Sequence, residues 1–350
     1  MTLLEATVAR IPEPDLCAAR EVRSRLDEKT KPPGSLGRLE ELACALAAIR
    51  GTPDLDPPLK AIVVMAGDHG VAAEGVSAFP QAVTAQMVLN FARSGAAINV
   101  LSRQVGARVV VVDMGVSSPI PEDPAIRSMR VRAGTNNITL GPAMSRDEAI
   151  RALEAGISVA EELISSGVGL LGLGEMGIAN STSASALAAA FTGASPEEVT
   201  GRGTGIDDSQ LRHKVDIVRR ALEVNPPDPV DPLATLAGLG GLEIAGLAGV
   251  ALCSAACRIP VLLDGFIATA AALAAARIAP RAAHAFIASH LSVEVGHRCL
   301  LDALGKTPLL ALDLRLGEGS GAALAMHLVD ASIHILREMA TFASAGVSGA

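Results

Sequence analysis

Residues 61–70 read AIVVMAGDHG, an apolar run that leads directly into a loop carrying Asp68 and His69. Continuous apolar runs, unlike alternating ones, are typical of strands in a parallel sheet that is covered on both faces. Ligands of such sheets bind beyond the carboxyl ends of the strands. The stretch therefore predicts a buried strand that ends at a binding site.

The same arrangement recurs along the chain. Further runs predicted as strands, each followed by a loop with glycine or polar residues, are residues 108–112, 168–171, 260–263, 285–288 and 309–314. Longer stretches rich in Ala and Leu lie among these runs, and residues 145–165 and 208–224 are predicted helices. This alternation predicts an α/β fold with a doubly wound, mostly parallel sheet of about six strands.

The two ends of the chain differ from this central part. A turn at residues 31–35 precedes an amphipathic stretch at residues 36–49, and residues 321–340 form another long helical pattern. We expect the ends to pack together as a small helical domain. The predicted division is residues 1–58 with 321–350 for that domain, and residues 59–320 for the α/β domain with the active site.

Composition and charge exclude several classes of partner. Half of the 350 residues are apolar, 19% are charged, and the net charge is −8. An acidic surface does not suit a nucleic-acid backbone, and Trp and Tyr, which commonly stack on bases, are absent. In the most apolar region, the longest stretches without a charge are shorter than the ~20 residues of a membrane-spanning helix. We therefore expect small-molecule ligands, no nucleic acid and no membrane span.

The cysteines and histidines indicate where in the cell the protein is expected and whether it binds a metal. The five cysteines are scattered, and no apolar signal core follows a basic start, which favours a cytoplasmic protein with reduced thiols. Cys253 and Cys257 lie one helical turn apart and could share a metal, but buried helix cysteines are the more frequent arrangement. His69 stands alone after its strand, which is more typical of a structural histidine. We predict no metal and no cofactor.

The segment GLGEMG, residues 172–177, matches the G-x-G-x-x-G pattern of dinucleotide-binding folds. A dinucleotide-dependent oxidoreductase is therefore one alternative. Glu175, however, lies where a pyrophosphate would need bare amides, so it fits better as an acceptor for a hydroxyl or ring nitrogen. A carboxylate that complements a helix N-terminus is the structural alternative.

Two further glycine-rich loops are candidates for a phosphate site and for a catalytic base. The segment GRGTG, residues 201–205, precedes a helix with Lys214 and suits a phosphate, although a plain flexible turn fits equally well. In RLGEGSG, residues 315–321, three glycines surround Glu318, so the loop can present a base together with free N–H groups. A simple turn into the next helix is the alternative.

Taken together, these segments resemble the nicotinate-nucleotide–dimethylbenzimidazole phosphoribosyltransferase family. The matching segments follow in order over nearly the whole chain, and they are residues 31–40, 68–71, 74–76, 174–182, 214–216, 219–221, 261–266 and 315–325. The resemblance implies a homodimer in which a parallel-sheet domain lies beside a small helical domain. It also implies that Glu318 is the catalytic base.

The same resemblance implies a set of substrate-binding residues. Phe79 and Met87 fall at positions that line the base pocket, where family members can have polar side chains, so stacking is favoured over hydrogen bonding here. The remaining residues implied to bind substrate are Glu175, Gly177, Gly203, Lys214, Ser292 and Leu316.

The implied activity is transfer of the ribose 5-phosphate of nicotinate mononucleotide to 5,6-dimethylbenzimidazole. The products would be α-ribazole 5′-phosphate and nicotinate, with inversion at the anomeric carbon and Glu318 as general base. A benzimidazole-binding protein without catalytic activity is a further alternative, and it would release no nicotinate.

Overall fold

The computed structural model describes residues 1–348, and its centre is a six-stranded sheet in which every neighbouring pair is parallel. The strands are β1 (Leu59–Gly67), β2 (Ala107–Gly115), β3 (Ile126–Ser128), β4 (Val168–Met176), β5 (Val261–Leu263) and β6 (Phe286–Ala288). Their order in the sheet is β3-β2-β1-β4-β5-β6, so the strand order reverses between β1 and β4. Ligands of open α/β sheets bind at such a reversal.

Helices cover both faces of this sheet, which confirms the predicted α/β architecture. The α-helices are α1 (Leu3–Ala9), α2 (Leu16–Asp27), α3 (Arg38–Arg50), α4 (Ala82–Ala92), α5 (Ala97–Gln104), α6 (Arg146–Ser165), α7 (Asn180–Thr192), α8 (Pro196–Val199), α9 (Asp208–Val224), α10 (Pro232–Leu239), α11 (Leu242–Ala256), α12 (Phe266–Ile278), α13 (His297–Leu304), α14 (Ser320–Glu338) and α15 (Phe342–Ala345). On β1, Ile62 lies beneath the start of α14, whereas Met65 points to α11. Positions three apart on a strand face opposite sides, so these helices cover opposite faces.

The sixth strand is not the one predicted. Residues 309–314 contribute only β8 (Leu310–Ala311), which pairs with β7 (His290–Leu291) in a separate two-stranded sheet. The main sheet is completed by β3, whose sequence Ile-Arg-Ser contains no apolar run. As an edge strand it is only partly buried, so it needs no apolar run and gives no signal in the sequence.

The two ends of the chain are in contact. The Lys29 ammonium donates to the carbonyl of Met339 at 2.7 Å, and Lys29 also forms an antiparallel bridge with Thr341. Helices α2 and α3 pack on each other and on α14. Helix α1 instead packs on α6 and α11, within the part assigned to the α/β domain. The division into two domains stays a prediction, and residues 349–350 lie outside the described residues.

Glycines allow α6 and α11 to approach at backbone distance. A Cβ atom on Gly156 would lie 1.9 Å from the carbonyl oxygen of Gly246, and one on Gly249 would lie 2.0 Å from that of Leu153. Because α11 covers β1, β2 and β4, this contact fixes the layer beneath the site. Within residues 1–348, no helix is long and apolar enough to cross a membrane.

We expect Gly156→Val to lower the free energy of unfolding by about 1–3 kcal/mol, since the added side chain forces two backbones apart. Denaturant titration of the purified protein measures this change. Arg151→Ala on the exposed face of the same helix is the control and should change the value by less than about 0.5 kcal/mol. Equal stabilities of the two variants would show that the helices are not held at backbone distance.

Candidate active site

A cavity of about 480 Å³ opens beyond the carboxyl ends of β4, β5 and β6. It is the place where the sheet topology predicts a ligand. Most of the residues predicted from the sequence line it, namely Phe79, Met87, Glu175, Gly177, Gly203, Ser292, Leu316 and Glu318. Lys214 lies immediately behind the wall, because a Cβ on Gly203 would be 3.1 Å from its ammonium nitrogen.

Glu318 lies on a loop with unusual backbone geometry. Its φ is 64°, and the flanking Gly317 and Gly319 have φ values of 85° and 93°. A left-handed conformation costs a residue with a side chain roughly 1–2 kcal/mol, so the surroundings must hold it. Asp264 does so, because its carboxylate accepts hydrogen bonds from the backbone N–H groups of Gly319, Gly321 and Ala322 at 3.1, 2.6 and 3.1 Å.

The Glu318 carboxylate lies at the cavity wall and is only 6% exposed. Its Oε2 accepts a hydrogen bond of 3.2 Å from the N–H of Ile98, in the first turn of α5. Burial raises the pKa of Glu318, while the Ile98 N–H lowers it. A carboxylate with a raised pKa is a stronger base, and a base of this kind suits proton transfer from a ring N–H.

Glu175, near the end of β4, faces the Glu318 loop. Burial raises the pKa of Glu175 to about 8, the amide of Asn180 opposes this shift, and the charges of Asp264, Glu243 and Glu318 add to it. A Cβ on Gly317 would lie 2.1 Å from Oε1 of Glu175, so position 317 requires glycine for space as well as for its φ. At neutral pH Glu175 is therefore largely protonated unless a cationic ligand binds beside it.

Lys214 lies beside the start of α7, an arrangement that suits an anion. Its ammonium is buried and donates to the Ser181 hydroxyl at 2.9 Å and to the Gly201 carbonyl at 3.3 Å. Ser181 is in the first turn of α7, where backbone N–H groups and the helix dipole favour negative charge. Burial lowers the pKa of Lys214 to about 8.

Ser292 is held at the cavity by a histidine that the sequence did not single out. The Ser292 N–H donates to Nδ1 of His297 at 2.9 Å. Nε2 therefore carries the ring proton and donates to the Thr269 hydroxyl at 3.0 Å, and that hydroxyl donates to the Gly265 carbonyl at 2.8 Å. Burial lowers the pKa of His297 to about 3, so the ring stays neutral in this role.

Three of the predicted residues in the lining are apolar. Phe79 and Leu316 are 54% and 56% exposed, and Met87 also lines the cavity. The loop before Phe79 is fixed by Thr204, whose hydroxyl accepts a hydrogen bond of 3.0 Å from the Ala78 N–H. A flat aromatic ligand could stack between these side chains.

Two motifs that suggested other chemistry have structural explanations. His69 lies outside the cavity lining and is fully buried, with Nδ1 2.9 Å from the Ser183 hydroxyl and Nε2 2.7 Å from Glu243. Gly172 and Gly174 lie within β4 rather than in a turn before a helix. A Cβ on Gly174 would be 2.3 Å from the carbonyl oxygen of Glu318, so glycine is needed for packing.

Comparison of the whole chain with known proteins identifies its family. A family model described as "Phosphoribosyltransferase" matches residues 11–347. Nicotinate-nucleotide–dimethylbenzimidazole phosphoribosyltransferase of Chloroflexus aggregans is 57% identical over 350 residues, covering 99% of each chain, and that of Desulforamulus reducens is 53% identical over 349 residues, also covering 99% of each.

A solved structure agrees with these sequence relatives. The crystal structure of the enzyme of the same name from Thermus thermophilus superimposes with a TM-score of 0.91 at 48% identity. The match covers 96% of this chain and all of that one. The resemblance seen in the sequence is thereby confirmed, and this chain belongs to the family of nicotinate-nucleotide–dimethylbenzimidazole phosphoribosyltransferases and is a pentosyl-transferring enzyme.

Proposed function

We propose that the protein transfers the ribose 5-phosphate of nicotinate mononucleotide to 5,6-dimethylbenzimidazole, which gives α-ribazole 5′-phosphate and nicotinate. The names of the relatives motivate the choice of substrates. The observation that carries the proposal is the buried Glu318 carboxylate, held in a strained loop at the wall of a cavity that is partly lined by apolar side chains.

The donor would be anchored by its phosphate. Lys214 supplies a positive charge, and Ser181 and the N-terminus of α7 supply hydrogen-bond donors beside it. The glycine at position 203 lets the phosphate approach, since a side chain there would crowd the ammonium. The sugar then extends from this site toward Glu175 and Glu318, which line the same cavity.

The acceptor would stack beside Phe79, Met87 and Leu316. Its two ring nitrogens differ, because one carries hydrogen and the other a lone pair. The lone-pair nitrogen forms the new bond to the anomeric carbon, and Glu318 accepts the hydrogen of the other nitrogen. Dispersion contacts with the thioether and the phenyl ring suit a base without hydrogen-bonding substituents.

The leaving group needs no acid. The ring nitrogen of the donor is cationic while it is bonded to ribose, so the electron pair of the breaking bond simply neutralises it. Attack on the opposite face of the sugar gives an α-riboside in a single displacement. Negative charge on Glu175 and Glu318 would stabilise the cationic donor and the positive charge that develops on the sugar.

The structure argues against the two other interpretations, which are an oxidoreductase and a binding protein without activity. A dinucleotide-dependent oxidoreductase would need residues 172–177 in a turn at a helix start, whereas β4 includes all of these residues except Gly177. A binding protein without activity would not require a base held in a strained conformation. The homodimer and the cytoplasmic location stay predictions.

Glu318→Gln removes the proton acceptor while it keeps the shape of the side chain. We expect kcat to fall about 10²- to 10⁴-fold, the usual contribution of a positioned base. The Kd for dimethylbenzimidazole, measured by calorimetry, should change by less than about threefold. A change of that size is smaller than the effect of losing one hydrogen bond. Glu122→Gln, at an exposed position, is the control. Near-wild-type turnover with both substrates bound would exclude Glu318 from this role.

The anion site predicts a pH dependence. Lys214 is charged below its pKa of about 8, so kcat/KM for nicotinate mononucleotide should fall as pH rises through about 8. Lys214→Met should lower kcat/KM about 10- to 100-fold, chiefly through the donor KM, and should abolish this part of the profile. Steady-state kinetics on both sides of this pKa measure both effects. An equal rise of donor and acceptor KM would contradict the assignment.

A further inference from the structure

A second cavity, of about 240 Å³, lies near the β3 edge of the main sheet. Its lining comes from the end of α4, from α5, from β2 and from Ala125, just before β3. These residues are different from those that line the cavity with Glu318, so the two cavities are separate. Sites for drug-sized ligands usually exceed about 300 Å³, so this one fits a smaller molecule.

Part of the lining is apolar. Ala107, Val109 and Val111 alternate along β2, so their side chains point to one face of the sheet. Phe91, at the end of α4, adds further apolar surface. A hydrocarbon group that covers this surface is stabilised by the hydrophobic effect.

The polar part of the lining comes mainly from α5. Asn99, Ser102 and Arg103 are three and four residues apart, and so they lie on one side of the helix. The Asn99 side chain is used within the protein, because its amide accepts from the Ala96 N–H and donates to the Phe91 carbonyl, both at 3.1 Å. Ser102 and Arg103 are therefore the groups of this helix that suit a ligand.

The Ser102 hydroxyl is buried without a partner. Ser102 is 1% exposed, and among residues 1–348 nothing forms a hydrogen bond with its hydroxyl. Serines within helices often donate to the carbonyl four residues earlier, as Ser158 and Ser254 do at 2.9 and 2.7 Å. Buried polar groups are nearly always paired, so an unpaired hydroxyl in the lining of a cavity indicates a bound partner.

Arg103 supplies the charge. It is exposed, and of the described residues it is the only charged one in the lining. Its Nη1 donates to the Ser94 carbonyl at 3.4 Å, which is a long hydrogen bond to a neutral group. A guanidinium has five N–H donors, so Arg103 keeps donors for a ligand.

The residues next to the lining add to this positive charge. Arg93 and Arg108 are exposed, and each is a direct sequence neighbour of two lining residues. The acids nearest in sequence, Asp113 and Asp123, already accept backbone N–H groups at 2.9 and 2.8 Å. The charge balance at this cavity therefore favours an anion.

We propose that this cavity is a second binding site and that its ligand is a small monocarboxylate with a short aliphatic chain. The carboxylate accepts hydrogen bonds from Arg103 and Ser102, since a guanidinium fits a planar carboxylate closely. The aliphatic chain lies on the apolar surface of β2 and Phe91. The inference goes beyond the proposed reaction and does not depend on it.

A single tryptophan provides a local test, because the chain has no Trp and no Tyr. Ala125→Trp places this fluorophore at an exposed position of the lining. Its fluorescence is titrated with isovalerate, with isovaleramide (the same shape without the charge) and with inorganic phosphate (a charge without hydrocarbon). We expect a Kd of about 1 mM or tighter for isovalerate, and binding at least about 10-fold weaker for the other two.

Variants in the Ala125→Trp background assign the contacts. Arg103→Met should weaken isovalerate binding about 10- to 100-fold, and Ser102→Ala should weaken it about 2- to 10-fold. Arg108→Met is the matched control, since it removes an exposed charge beside the lining, and it should change the Kd by less than about threefold. Ligand-observed NMR of isovalerate with the wild type and with Arg103→Met alone repeats the comparison without the tryptophan.

Several results would overturn the inference. They are the absence of a saturable signal up to about 10 mM isovalerate, equal affinities for isovalerate and isovaleramide, and equal losses with Arg103→Met and Arg108→Met. Tighter binding of phosphate than of isovalerate would contradict the proposed class of ligand. Saturating nicotinate mononucleotide should leave isovalerate bound, and displacement would show that the carboxylate binds in the cavity with Glu318 instead.

Discussion

The carboxylate of Asp264 is the contact on which the site depends. It accepts three backbone N–H groups from the start of α14 and the residue before it, which fixes the loop where Glu318 adopts a left-handed conformation. Burial raises the pKa of Asp264 to about 7, but the three donors stabilise the ionised form. The Asp264 carboxylate thus has a structural role, and Glu318 stays available as the proposed base.

The same buried acids set the electrostatics of the cavity. Burial raises the pKa of Glu175, and the charges of Asp264, Glu243 and Glu318 add to this shift. A site of this kind disfavours anions except where a cation or a helix N-terminus faces them, and it favours a cationic pyridine ring. In the part of the chain that the structure describes, Arg315 is the only lysine or arginine in the lining, and the Lys214 ammonium lies behind the wall at Gly203.

Much of this could be predicted from the sequence, because buried parallel strands have continuous apolar runs and their polar residues follow at one edge. The runs predicted five of the six strands, and the glycine-rich loops pointed to Glu318, which lines the cavity, and to Lys214, which lies behind its wall. Strand β3 could not be predicted, since an edge strand needs no apolar run. The roles of Asp264 and His297 could not be predicted either. The hydrogen-bond partners of Asp264 are distant in sequence. The hydrogen bonds of His297 depend on which ring nitrogen carries the proton.

A single displacement assisted by Glu318 is the central claim, and the stereochemistry of the product tests it most directly. Proton NMR of the riboside formed from nicotinate mononucleotide and dimethylbenzimidazole reports the configuration at the anomeric carbon. Attack on the face opposite the leaving nicotinate predicts an α-riboside. A β-riboside would show retention, which a single displacement cannot give, and would contradict the account.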